Sequence, residues 1–283
     1  MISTKNIIAG MAIMAFSLAG IKTQAQKINI PAASPASSIK QSVGLSEISI
    51  DYSRPGVKGR VIYGDLVPYG RTWRTGANSS TKITFGEDSK LEGTTVPAGT
   101  YALYTIPDKD EWTIILSKNT TLWGDFGYKQ EEDLLRVKVK PTALNYKVET
   151  FTINFADVTS NSTNIELLWD QTRVAFKVTV DVDTKVMKSI ETTMAKDQRP
   201  YTQAANYYYD NDKDLKQALT WVNKDIEQNP KSFSSYLLQA KINYKLKDKV
   251  AGKASADKTI QLATDAKNDD YVKMAQKLIA DNK

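Results

Sequence analysis

Four arginines and three aromatic residues lie within Ser53–Ser80, a segment that also contains five glycines and two prolines. The glycines and prolines impose turns, so neither helical nor strand periodicity describes the segment. Polar and aromatic side chains that loops present from a rigid scaffold are typical of binding surfaces. The segment therefore predicts a binding site, and its arginine and aromatic residues are Arg54, Arg60, Arg71, Arg74, Tyr63, Tyr69 and Trp73.

Six side chains of this segment are interpreted as ligand-binding residues. The indole of Trp73 is suited to stacking on a ring, and guanidinium groups bind carboxylate, phosphate or hydroxyl oxygens. An asparagine both donates and accepts hydrogen bonds. If the backbone is extended, Arg71 and Trp73 share one face and Arg74 lies on the other. The predicted ligand-binding residues are Arg54, Tyr69, Arg71, Trp73, Arg74 and Asn78.

The same side chains have a structural interpretation. The arginines would then tie the long segment down through ion pairs with Asp51 or Asp65, and Asn78 would bond its own turn. The glycines are interpreted as turn-forming residues, because they lack the spacing and the strand–loop–helix context of a phosphate-binding loop. Burial distinguishes the two interpretations, since a ligand-binding side chain has to remain accessible.

The chain contains no histidine and no cysteine. Nucleophile systems of the Ser-His-Asp and Cys-His types are therefore excluded, as are the usual zinc, copper and non-haem iron sites. Disulfides are excluded as well, so the core has to supply the stability. We predict no catalytic residue, no metal ligand and no cofactor, and we leave open whether the protein is an enzyme.

Carboxylate, tyrosine or lysine chemistry is compatible with this composition. A pair of facing carboxyls would serve a glycosidase. The acidic runs Asp108–Glu111 and Glu131–Asp133 show no aromatic-lined cleft in sequence, and neither contains a calcium-binding loop motif. Asp51 and Asp65 lie nearer the arginine-rich segment, where ion pairing is the simpler role.

An N-terminal signal peptide is predicted over residues 1–25. Lys5 supplies the positive region, Ile7–Ile21 the apolar region, and Ala25 the small residue before cleavage. The mature chain is expected to be exported, periplasmic or extracellular, with no membrane span. Residues 26–185 carry no net charge, and the later basic residues are scattered among acids, so no nucleic-acid partner is predicted.

Residues 26–38 are interpreted as a lead-in and residues 39–185 as an antiparallel β-sandwich, with an open barrel as the second choice. Val174, Phe176, Val178 and Val180 alternate with other residues, the pattern of a strand buried on one face. Turn chemistry at Pro107–Asp110 predicts a hairpin. Six large aromatic residues are predicted to lie in the core; they are Trp112, Trp123, Trp169, Phe126, Tyr101 and Tyr104.

Residues 186–283 are predicted to form an α-helical stack. Segments offset by 34 residues align Lys213-Asp214 with Lys247-Asp248 and Ile226 with Ile260, which is the tetratricopeptide period. The second copy has Thr264 where the closing proline is usual. Two degenerate tetratricopeptide-like repeats and plain helical hairpins therefore both remain open. The two-domain fold class is thus β followed by α.

The strings Ser53–Arg60, Val67–Gly70, Trp73–Asn78 and Val96–Tyr101 resemble those of a bacterial family of exported proteins known as a domain of unknown function, numbered 2911. The resemblance covers residues 34–183. It implies export, a mainly β domain and an optional helical tail, and it brings no established activity or catalytic residues.

The leading functional hypothesis is a non-catalytic binding module. The segment 53–80 would contact a small polar or glycan-like ligand, and the helical tail would contact a protein partner or the β domain. Two other classes remain open. One is a metal-independent hydrolase or lyase that uses carboxylate, tyrosine or lysine groups, and the other is a structural envelope component.

Overall fold

The computed structural model describes residues 30–195 and 200–282. The predicted signal peptide lies outside these residues. The first half of the chain is antiparallel β structure, as the alternating pattern predicts. Its strands are β1 Ala36–Val43, β2 Ser46–Ser53, β3 Thr81–Phe85, β4 Ser89–Leu91, β5 Thr94–Val96, β6 Gly99–Ile106, β7 Trp112–Ser117, β8 Asp133–Val139, β9 Pro141–Ala156 and β10 Ser162–Val180.

The strands form two antiparallel sheets. One has six strands in the order β1-β2-β3-β6-β7-β8, and the other has four in the order β5-β4-β10-β9. Buried residues of both sheets belong to one hydrophobic cluster, for example Ile83 and Leu103 of the first sheet and Ile153 and Phe176 of the second. The β fold class is confirmed, while its finer description as a sandwich stays a prediction.

The longest strand shows why the sequence pattern is reliable here. In β10 the residues Val174, Phe176, Val178 and Val180 are buried and the residues between them are more exposed, as a period of two requires. The hairpin predicted at Pro107–Asp110 is also confirmed, because β6 pairs with β7. The strand β1 begins at Ala36, within the predicted lead-in of residues 26–38, and pairs along its whole length with β2.

The segment 53–80 connects β2 to β3 with little regular structure and is fixed by backbone hydrogen bonds at both ends. Near its start, the amide of Val57 donates to the carbonyl oxygen of Glu149 at 2.7 Å. Near its end, Trp73 and Thr105 exchange two backbone hydrogen bonds of 2.7 and 2.9 Å. The segment therefore runs from the edge of β9 to the edge of β6, against both sheets.

Helices follow the last strand. The third, fourth and fifth begin with Asp or Ser N-caps whose side chains accept amide hydrogen bonds, which satisfies donors that the first turn leaves free. The helices are α1 Asp183–Met194, α2 Tyr201–Asp210, α3 Leu215–Gln228, α4 Phe233–Lys245, α5 Lys249–Asp265 and α6 Asp269–Asp281.

The β-then-α order is confirmed, and the tetratricopeptide-like repeat stays a prediction. The helical region begins at Asp183, before the predicted change at residue 186. An ion pair between Lys185 of α1 and Glu87 joins the first helix to the β region. Among the helices of the described residues, none is both long and apolar enough to cross a membrane.

Candidate functional site

A small cleft of about 180 Å³ lies where the segment 53–80 meets the β6–β7 hairpin loop and the strands β9 and β10. This volume is below the roughly 300–1,000 Å³ of sites for drug-sized ligands. Aromatic rings and hydrogen-bonding side chains line the cleft together. The lining residues are Tyr63, Tyr69, Asp108, Lys109, Trp112, Pro141, Thr142, Ala143, Gln171 and Thr172.

Tyr63 connects the cleft to the aromatic core. Its ring centroid lies 5.1 Å from that of Trp112 and 6.3 Å from that of Trp169, both in edge-to-face contact. Burial raises the pKa of the Tyr63 phenol well above its usual value, and the negative charge of Asp170 and the nearby Tyr69 raise it further. The hydroxyl therefore remains protonated, and it can both donate and accept hydrogen bonds at the cleft.

Tyr69 forms the exposed side of the cleft, with 38% of its surface accessible. Its ring packs over Gly64, whose φ is +93°, and a Cβ at Gly64 would lie 2.9 Å from Cε2 of Tyr69. The glycine is thus required both by the turn and by the close ring contact. Next to Tyr69, the amide of Gly70 donates to the carbonyl oxygen of Pro107 at 2.9 Å. This hydrogen bond holds the segment beside the β6–β7 loop.

The opposite wall is built on an irregular part of the β9–β10 pair. The register shifts between Leu168 and Asp170 and again between Asp170 and Thr172. Asp170 has a φ of +51°, which is uncommon for a residue other than glycine. Bulges of this kind re-aim side chains and occur often beside active sites. Here the irregularity lies next to Gln171 and Thr172, two of the polar residues that line the cleft.

Arg71 follows the Gly70 contact in the chain and is exposed. Within the described residues its side chain forms no hydrogen bond and no ion pair. Of the six predicted ligand-binding residues, only Tyr69 lines the cleft. Arg71 lies two residues after Tyr69 in the chain. The structure therefore brings one of the predicted residues into the cleft, and a second follows it closely in the chain.

Trp73 requires a correction, because its ring lies in the core and only 8% of its surface is exposed. It stacks on Trp169 with ring centroids 5.7 Å apart and contacts Phe151 edge-to-face at 5.2 Å. Its indole N–H donates to the carbonyl oxygen of Gly76 at 3.1 Å. The predicted stacking surface is thus covered by other rings of the protein, and the structural interpretation applies to Trp73.

Arg54, Arg74 and Asn78 also have partners within the protein. Arg54 donates to the carbonyl oxygen of Phe151 at 3.1 Å and to Oγ1 of Thr152 at 2.8 Å. Arg74 donates to the carbonyl oxygen of Asn78 at 3.0 Å and lies 3.7 Å from the carboxylate of Asp125. The predicted partners Asp51 and Asp65 are therefore wrong for both arginines.

The amide of Asn78 bonds across the fold instead of its own turn. It donates to the carbonyl oxygen of Ser34 and to Oγ of Ser53, both at 3.2 Å. Asn78 has a φ of +61°, a conformation that asparagine tolerates better than most residues. The residue therefore has both a conformational and a hydrogen-bonding role in holding the end of the segment.

Four of the six aromatic residues predicted in the core are buried, namely Trp112, Trp169, Tyr101 and Tyr104. The prediction is wrong for the other two, because Trp123 is 69% and Phe126 is 90% exposed. Both lie in the β7–β8 loop, residues 118–132. Leu122 and Tyr128 of that loop pack on the outer face of the six-stranded sheet instead. The loop thus uses its own anchors for packing and leaves these two rings exposed.

The polar residues of the far wall were not predicted. Thr142, Gln171 and Thr172 lie in strands, and the alternation that identifies a strand does not show where its register shifts. In the sequence, Lys109 is a predicted turn residue, and Asp108 belongs to an acidic run for which the sequence shows no aromatic-lined cleft. The structure places Asp108 in a cleft with Tyr63, Tyr69 and Trp112. The one signal for a site was the composition of the segment 53–80, and it located the nearer wall alone.

The residues that the structure describes contain no set of side chains that could hold a metal ion. Over 30–195 and 200–282, no group of three or more acidic side chains is arranged to hold an ion. The polar groups that line the cleft are hydroxyl, amide, carboxylate and ammonium groups. Such groups, together with aromatic rings, bind hydroxylated ligands by hydrogen bonding and ring contact.

Comparison with known proteins gives one family match. Residues 34–178 match the model of a family described as Protein of unknown function (DUF2911). No curated protein and no solved structure matches the chain. The matched residues begin before β1 and end within β10, so they include the whole segment 53–80 and every residue that lines the cleft. The helical region lies outside the match.

Proposed function

We propose that this chain, which belongs to the family described as Protein of unknown function (DUF2911), is a non-catalytic binding module whose cleft takes one hydroxylated ring, such as a sugar unit. The proposal rests on the combination of side chains that line the cleft. The partly exposed ring of Tyr69 lies in the same small space as hydrogen-bonding groups from three other elements.

The size and the chemistry of the cleft support a small hydroxylated ligand. A volume of about 180 Å³ is suited to a single ring rather than to a drug-sized molecule. An aromatic side chain such as Tyr69 contacts the apolar face of a ring. Hydroxyls of Thr142 and Thr172 and the amide of Gln171 supply both donors and acceptors, which a sugar with several hydroxyls requires.

Binding is favoured over hydrolysis or elimination. A general base works best when its pKa is near the operating pH. Burial and the charge of Asp170 move the pKa of Tyr63 upward, away from that range. Asp170 itself pairs with Lys147, and the carboxylate of Asp108 accepts the amide of Lys109 at 2.7 Å. The carboxylates near the cleft thus serve as hydrogen-bond and ion-pair partners.

The test is a ¹H–¹⁵N NMR titration of the protein with the methyl β-glycosides of glucose, galactose and mannose as probes. A single ring gives weak binding, with a Kd of roughly 1 mM, equivalent to about 4 kcal/mol. We expect at least one probe to bind the wild-type protein. We expect Tyr69→Ala to weaken that binding at least about tenfold, while its melting temperature stays near that of the wild type.

Phe126→Ala is the matched control, because Phe126 is a more exposed aromatic residue that does not line the cleft. It should bind the probe as the wild type does. If no probe binds, or if the Phe126 and Tyr69 variants lose binding equally, the proposed function is contradicted.

A further inference from the structure

We infer that the ring bound in the cleft is an acidic sugar, whose carboxylate is recognised by Arg71 and Lys109. This inference rests on the proposed function, because it names the charge of the ligand that the same cleft takes. It depends on a difference between the acids and the bases around the cleft. The acids have partners within the protein, whereas these two cations have none in the described residues.

The two acids nearest the cleft are already engaged. Oδ1 of Asp108 accepts the backbone amide of Lys109 at 2.7 Å. Oδ1 of Asp170 lies 3.8 Å from Nζ of Lys147, with which it forms an ion pair. A cationic ligand would have to compete with Lys147 for Asp170. Asp108 keeps its negative charge at the cleft and reduces the attraction of an anionic ligand.

The two bases are in the opposite situation. Arg71 and Lys109 are exposed, and in residues 30–195 and 200–282 neither side chain has a hydrogen-bond or ion-pair partner. The other three arginines of the segment donate to backbone carbonyl oxygens, as Arg60 does to Gly56 at 2.6 Å. Arg71 is thus the guanidinium of this segment that remains available to a ligand.

Backbone contacts bring together the two chain segments that carry these cations. The hydrogen bond from Gly70 to Pro107 joins the residue before Arg71 to the residue before Asp108. Lys109 lines the cleft directly. A guanidinium forms paired hydrogen bonds with a planar carboxylate, and an ammonium group adds a point charge. A ring held against Tyr69 would therefore meet both cations through an acidic substituent.

Two further acids limit the preference of the cleft for an acidic sugar. Asp65 and Asp110 are exposed residues of the same two loops, and neither lines the cleft. Water and salt screen exposed charges over about 10 Å at 0.1 M ionic strength. Because exposed ion pairs are individually weak, we expect the acidic sugar to be preferred by about five- to tenfold rather than by a larger factor.

The experiment compares methyl β-glycosides with the corresponding methyl β-glycosides of the uronic acids (the uronides) in the gluco, galacto and manno configurations. Each pair has the same ring and differs in a carboxylate at C6. Titrations of the full chain at neutral pH should give a Kd that is about five- to tenfold lower for the uronide of the preferred configuration. Arg71→Gln should reduce this ratio, and a variant that also carries Lys109→Gln should bring it near one.

Lys118→Gln is the matched control, since it removes one positive charge from an exposed position at the other end of β7. It should leave the ratio unchanged. Equal affinities for both members of every pair, with binding still dependent on Tyr69, would overturn the inference and leave the proposed function standing. No binding of either sugar would contradict both. A ratio that Arg71→Gln and Lys118→Gln reduce equally would show general charge attraction and would also overturn the inference.

Discussion

Two long connections of the β region place their large aromatic residues in opposite ways. The segment 53–80 runs against both sheets, and its Trp73 is buried among Trp169 and Phe151. The β7–β8 loop packs on the outer face of the six-stranded sheet, and its Trp123 is 69% exposed. Both connections are rich in glycine and aromatic residues, so composition alone does not distinguish them.

The difference is explained by what each connection covers. The segment 53–80 lies beside the main core, so an inward side chain joins a large aromatic cluster. The β7–β8 loop covers a small outer cluster that Tyr104 and Ile115 form with Leu122 and Tyr128. Trp123 is not part of that cluster and remains exposed. A tryptophan in a loop therefore indicates a core anchor or a surface feature according to the surface that the loop covers.

The largest effect is expected from truncating the two tryptophans. Removing a buried Trp costs roughly 3 to 5 kcal/mol, whereas changes at exposed positions usually stay within about 0.5 kcal/mol. Trp73→Ala should therefore lower the melting temperature by about 10 °C or more, and Trp123→Ala should leave it nearly unchanged. Thermal unfolding followed by circular dichroism measures both. Equal decreases in melting temperature would contradict the conclusion that Trp73 is a core residue and Trp123 a surface residue.

A smaller effect separates two arginines within the segment 53–80. Arg54 makes two hydrogen bonds to β9, while Arg71 makes none in the described residues. Hydrogen bonds of charged groups contribute roughly 1.5 to 3 kcal/mol, and partial exposure reduces this for Arg54. Arg54→Ala should thus cost about 1 to 2 kcal/mol in urea unfolding, and Arg71→Ala less than about 0.5 kcal/mol. A larger loss for Arg71→Ala would indicate a structural role that contradicts the further inference.

The smallest expected effect is on the pH dependence of stability, through Asp133, which bonds Tyr128 of the β7–β8 loop. Asp133 accepts a hydrogen bond from the Tyr128 hydroxyl at 2.7 Å, and its other carboxylate oxygen is buried without a partner in the described residues. Burial raises the pKa of Asp133 above 3.8, against the opposing effects of Tyr128 and Arg136. The folded state therefore binds this proton more tightly than the unfolded state does.

Stability associated with Asp133 is consequently greatest at low pH and is lost as the pH rises through the folded-state pKa. Asp133→Asn removes this dependence. The stability of the variant relative to the wild type should therefore increase between pH 3.5 and pH 7, which unfolding curves at the two pH values measure. A relative stability that decreases with pH would show that the charged form of Asp133 is the one the fold favours.

Much of the β fold could be predicted, because burial on one face imposes an alternating pattern. The alternation from Val174 to Val180 identified β10, and turn residues identified the β6–β7 hairpin. The register shifts around Asp170 could not be predicted, since nothing in the local sequence distinguishes a bulge from a regular pair. The polar wall of the cleft depends on those shifts and was therefore missed.

The candidate site was predictable only in part for a related reason. Segment composition marks a place where side chains are concentrated, but it does not show which of them the core and the strands will bind. Trp73 and Arg54 have partners more than 90 residues away in the chain. Tyr69 and Arg71 have no such side-chain hydrogen bond or aromatic-ring contact in the part of the chain that the structure describes, and only the folded arrangement reveals this difference.

The central claim is that the cleft between the segment 53–80 and the β9–β10 pair is the binding site. Mapping the backbone amide shifts during titration with the preferred methyl glycoside or uronide tests it most directly. The account predicts changes confined to residues 63–71, 108–112, 142–143 and 171–172, with residues 74–78 and 122–127 unchanged. Changes that concentrate at Arg74, Asn78 and Trp123, and leave the cleft unaffected, would contradict it.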